Sequence, residues 1–182
     1  MGPSDYVLLS LLDRLGGVQG RKKLQKLAYI AKLSGAPIED DFFFHYYGPY
    51  SSGLASRVDQ HVETKLLAET TRGLVMAEGV EYGYQLTDAA RELLESVRLK
   101  VPEAFRKAME RGLDRAAVLK DHDVFQLELA ATLLYWLEKG YSWEEAEETT
   151  ERRKKANRGS EAFKEARKIA AEVWKSREQV GD

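Results

Sequence analysis

The sequence predicts a mainly α-helical protein: a winged-helix-like N-terminal unit with a small β-hairpin, joined to a C-terminal helical bundle. Three observations carry this. Apolar residues recur at helical spacing through three early segments. One alternating stretch, Glu81 to Leu86, follows them. Beyond Pro102 every apolar pattern has the helical period. The division expected is residues 1–100 for the first unit and 101–182 for the bundle, packed on it.

Residues 4–15 read as the first helix. Ser4 is placed to cap it, Asp5 complements the positive end of the helix dipole, and Val7, Leu8, Leu11, Leu12 and Leu15 form the apolar stripe. Gly16-Gly17 stops it. The second helix, about 20–33, buries Leu24, Leu27, Ala28 and Ala31 and turns Arg21, Lys22, Lys23, Lys26 and Lys32 outward. Residues 41–50, Asp-Phe-Phe-Phe-His-Tyr-Tyr-Gly-Pro-Tyr, read as an aromatic strand ending in a Gly48-Pro49 turn. A third helix, about 51–65, points Leu54, Ala55, Val58 and Val62 inward.

Residues 66–86 form the hairpin, with its turn at Arg72-Gly73 or at Glu78-Gly79. Thr87-Asp88 then opens a helix to about Leu99. Four more follow, about 102–118, 122–139, 143–156 and 161–177. Ser142 and Glu145 have capping-box spacing. The 122–139 helix is apolar around most of its circumference, which reads as the core of the bundle, with half of a dimer interface as the alternative.

Composition removes several function classes. The 182 residues contain no cysteine, which excludes disulfides, thiol nucleophiles and thiolate metal sites. Three scattered histidines (His45, His61, His122) offer no metal cluster. His122-Asp123 lacks the partners a metal phosphohydrolase needs, and residues 16–22 lack the phosphate-loop pattern. Neither a cofactor nor a metal is expected, and no enzyme. The net charge of −2 excludes a bulk polycation. Abundant Glu, Lys and Arg with one asparagine resemble a thermophile's composition. With no targeting or spanning segment in the sequence, a cytoplasmic location is the expectation.

Two surfaces are candidate sites. Tyr47, Gly48, Pro49 and Tyr50, with Lys22 and Lys26 one helical turn apart, form a candidate partner-binding surface. Arg57 and Gln60 are side chains that read guanine and adenine edges, and Lys22, Lys23 and Lys26 suit phosphates, so these five are the candidate nucleic-acid contacts. Against DNA stand three features. About 17 residues separate the second and third helices, where a simple helix–turn–helix has roughly 3–4. The hairpin is acidic, and Asp59 and Glu63 sit on the would-be recognition helix. A protein partner is the first expectation; DNA and self-association are the alternatives.

The segments Gly20–Ile30 (GRKKLQKLAYI), Phe44–Ser51 (FHYYGPYS) and Tyr84–Thr87 (YQLT) together resemble the YwgA-like family of prokaryotic winged-helix-like proteins. More distantly they resemble the SocA-like (Panacea) antitoxin domain. The resemblance spans about residues 5–100. It implies a helical domain with a small sheet, no assigned catalytic activity, and, through the SocA-like members, function by protein contacts.

Overall fold

The computed structural model describes residues 1–73 and 80–178. Helix α1 (Pro3–Leu15) begins earlier than the Ser4 cap suggests. Proline is pre-shaped for a first helical position, and Asp5 reaches back to accept from the Gly2 amide at 2.9 Å. Ser4 instead donates to Glu39. Strand β1 (Val18–Gln19), absent from the sequence reading, follows, then α2 (Arg21–Leu33).

The aromatic segment is two strands. β2 (Phe43–His45) and β3 (Gly48–Tyr50) pair antiparallel, with Phe43 opposite Tyr50 and His45 opposite Gly48. Gly48-Pro49 therefore lies within β3, and Tyr46-Tyr47 makes the reversal. Helix α3 (Ser52–Glu63) starts at Ser51, whose hydroxyl accepts from the Leu54 amide.

β4 (Leu67–Gly73) and β5 (Val80–Leu86) form the expected hairpin, and β1 adds to the free edge of β5, giving the order β1-β5-β4. Arg72 and Gly73 pair within the ladder, so the turn is not there; the alternative, Glu78-Gly79, lies outside the described residues. Helices α4 (Asp88–Arg98), α5 (Glu103–Val118), α6 (Val124–Glu138), α7 (Trp143–Lys154) and α8 (Glu161–Glu178) complete the chain. The Ser142–Glu145 capping box at α7 is present in both directions.

The core runs without a break from Tyr6 to Val173. Helix α6 is its axis, packing against α2, α7, α8 and β3, and Leu127, Leu129, Leu133 and Leu134 have no exposed surface. Each such leucine contributes about 1.5–3 kcal/mol by burial, which outweighs any preference of this helix for water. Helix α5 lies along α1 and α2, and its Gly112 sits where the α2 C-terminus comes closest. The chain is mainly helical with a small antiparallel sheet. No helix among the described residues is long and apolar enough to cross a membrane.

Candidate functional site

The β2–β3 hairpin divides its rings between two faces, because strand side chains alternate. Phe44 points inward, 4.8 Å from the Trp136 ring and 5.6 Å from Tyr135. Phe43, His45 and Tyr50 share the outer face, and Tyr46 and Tyr47 crown the reversal. Tyr46 is 79 % exposed and Phe43 65 %. The outer rings touch one another: His45 and Tyr50 are 5.4 Å apart, and Tyr46 meets Tyr47 edge-on at 4.9 Å.

Helices α2 and α7 hold this hairpin by its backbone, and α6 supplies the carboxylate that holds the α7 lysine. The Gln25 side chain makes two bonds to Ser51, donating to its carbonyl at 2.9 Å and accepting from its amide at 2.8 Å. Lys26, 1 % exposed, donates to the Pro49 carbonyl at 2.5 Å. From α7, Lys154 donates to the Tyr46 carbonyl at 2.6 Å and to Glu128 of α6 at 2.8 Å. Lys22 stands 3.7 Å over the Tyr47 ring and 4.0 Å from Glu128. One buried carboxylate thus faces three lysines. Gly48 is obligatory: its φ is +81°, and a Cβ there would stand 2.7 Å from the Thr132 hydroxyl oxygen.

Burial lowers the Lys26 pKa to about 7; Glu128 opposes the shift, and the charges of Lys154 and Lys22 add to it. Burial likewise lowers Lys154, against its bond to Glu128. Between about 7 and the usual 10.5 the unfolded chain binds a proton at Lys26 that the folded chain does not, so stability rises with pH across that window. Urea unfolding at about pH 7 and about pH 9.5 measures this. Wild type is expected to gain stability at the higher pH and Lys26→Met to gain less; equal gains would place the titration elsewhere.

The candidate residues separate on these facts. Tyr47, Tyr50 and Lys22 reach the surface, whereas Lys26, Gly48 and Pro49 are buried and hold the hairpin from beneath. On α3, Gln60 is exposed, but Arg57 donates to Asp5 and to Asp40, both at 3.1 Å. Burial disfavours the Arg57 charge, and the bonds to Asp40 and Asp5 more than restore it, so its pKa is raised. His61 lies 3.3 Å from Asp5, and burial depresses its pKa. Lys23 is half-buried at the start of α2. Arg21 is matched by Asp59 at 3.0 Å and Glu69 at 3.2 Å. His45 lies on the outer hairpin face and His122 pairs with Glu165, so the histidines share no site. Among the described residues no group of three or more His, Asp or Glu is placed to hold a metal.

Sequence reasoning missed Phe43 and Tyr46, the most exposed rings, and the supports Gln25, Glu128 and Lys154. Placing the reversal at Tyr46-Tyr47 would have found the first two. Nothing local marks Glu128 or Lys154, which come from about 80 to 110 residues away.

Fold and site together define a mainly helical protein with a small antiparallel sheet, which displays an aromatic hairpin locked between helices. No family model matches the sequence. Over 129 residues, 71 % of this chain and 72 % of the relative, it is 30 % identical to the "Uncharacterized protein YwgA" of Bacillus subtilis (strain 168). The chain belongs to the YwgA family.

Proposed function

We propose that the protein is a non-enzymatic regulatory or interaction module that seats a protein partner on the outer face of the β2–β3 hairpin. One observation carries the reading: Phe43, His45, Tyr46, Tyr47 and Tyr50 turn their rings to solvent on a backbone that lysines of two helices hold. Exposed tyrosines are frequent anchors of binding energy. A surface ordered before binding loses less entropy when the partner arrives. The distant resemblance to SocA-like domains, which act through protein contacts, points the same way.

A winged-helix layout is the finer reading of the first half. The order α1-β1-α2-α3-β4-β5, with β1 against β5, supports it, and the β2–β3 hairpin is then an insertion between α2 and α3. That layout keeps DNA binding as the second reading. The commitment of Arg57 to Asp5 and Asp40 favours a protein partner, since base readout would require breaking both pairs.

The test uses the full chain as bait in a lysate of its source organism. A protein captured by wild type is expected to bind Tyr46→Ser/Tyr50→Ser at least about tenfold more weakly, the loss of one to two anchors, with the unfolding midpoint unchanged. Equal capture by wild type and variant removes the hairpin as the site. Duplex binding that falls steeply with salt and is lost in Gln60→Ala favours the second reading.

A further inference from the structure

Helices α1, α4 and α5 enclose a polar cleft of about 140 Å3 that no hairpin residue lines. Each helix supplies a stripe at helical spacing: Ser10 and Arg14 from α1, Leu94 and Arg98 from α4, Arg106 and Glu110 from α5. Buried Leu94, Met109 and Leu113 form its apolar part.

Three arginines line the cleft, and two are matched. Arg14 pairs with Asp114, and Arg98 lies 3.6 Å from Glu95. Asp13, also in the lining, lies 3.8 Å from Arg91. Arg106 differs. It is half-buried, and among the described residues its buried Nε has no acceptor and the side chain forms no ion pair. Glu110, one turn along the same helix, is the remaining unmatched acid of the lining and pairs with no cation among the described residues.

A buried guanidinium N–H without an acceptor is unfavourable, and the planar fork of an arginine fits two oxygens of one acid group. We propose that this cleft binds a small oxyanion, a carboxylate or a phosphate, on the Arg106 fork, with Arg14 and Arg98 at the rim. Glu110 opposes the anion by charge and competes for Arg106. Ser10 supplies a hydroxyl donor from the opposite wall.

The experiment follows the Arg106 Nε–Hε resonance of the full chain by NMR. Inorganic phosphate and acetate are titrated separately, with sodium chloride at matched ionic strength as control. Phosphate or acetate is expected to move that resonance saturably while chloride does not, and the anion with the lower Kd identifies the ligand class. Followed on the neighbouring amides, Arg106→Gln weakens binding by about tenfold or more, the loss of a charge-assisted bond. Arg106→Lys, which keeps charge but loses the fork, falls between them. Glu110→Gln strengthens binding, because the competing charge is gone. No saturable movement with either anion overturns the proposal, as does equal affinity in wild type and Arg106→Gln. Neither outcome bears on the hairpin, so this test and the partner test fail independently.

Discussion

Gly112→Ala is expected to lower stability by about 2 kcal/mol or more, although alanine is the better helix former. In an exposed helix the exchange would add about 1 kcal/mol of stability. Here the new methyl carbon would stand 2.5 Å from the Ala31 carbonyl oxygen, 2.5 Å from the Ala36 Cβ and 2.6 Å from the Ala36 nitrogen. Overpacking a close-packed site costs about 1–3 kcal/mol. Two of the three neighbours are backbone atoms and cannot rotate aside, which pushes the cost to the top of that range. Relief requires moving α5 off α2, and α5 also packs on α1. Urea unfolding measures the change, with Gly73→Ala, where nothing among the described residues stands within 4 Å of the added carbon, as control. An unchanged or raised midpoint for Gly112→Ala would show that α2 and α5 separate at no cost.

The second large effect is expected at Glu128. Glu128→Leu keeps the approximate volume but leaves Lys154, whose side chain is 3 % exposed, without its carboxylate, and removes the counter-charge for Lys22 and Lys26. Breaking a buried pair from one side costs about 3–5 kcal/mol. Lys154 limits the loss by folding with a neutral amine. A folded-state pKa pushed below the unfolded value gives most stability at high pH, so the deficit should deepen as pH falls through the lysine range. Adding Lys154→Met restores part of the stability, because a matched apolar pair replaces an unmatched charge. Recovery is incomplete, since methionine cannot donate to the Tyr46 carbonyl. Unfolding midpoints for wild type, both single variants and the double variant close the cycle. Additive losses would show that Glu128 and Lys154 act separately.

Helical elements and their stops were legible where signal and partner lie within a few residues. The Ser142–Glu145 box, the Thr87 cap and the buried α6 all have local causes. β1 was not legible, because two residues carry no period and exist as a strand only by pairing with β5. The aromatic segment misled for a related reason. Gly-Pro is a turn signal, but the Lys26 bond to the Pro49 carbonyl and the close approach of Thr132 hold Gly48-Pro49 in the ladder opposite His45 and Phe44, so the reversal moves to Tyr46-Tyr47. The nearness of Lys22 and Lys26 to the turn could be read from their i,i+4 spacing, which puts both on one face of α2. Which of them is buried could not.

The sequence by itself determined the helical class, the order of the helices, most of their ends and the lack of cysteine. These follow from periodicity, capping and composition, which act over a few residues or by count. Tertiary structure decided what each charged and aromatic side chain is for. It placed Lys26 beneath the hairpin and Lys22 beside its rings, tied Arg57 to Asp5 and Asp40, and left the Arg106 Nε without an acceptor among the described residues. The physical reason is that burial and pairing set the worth of a charge, and both depend on residues brought together from distant parts of the chain.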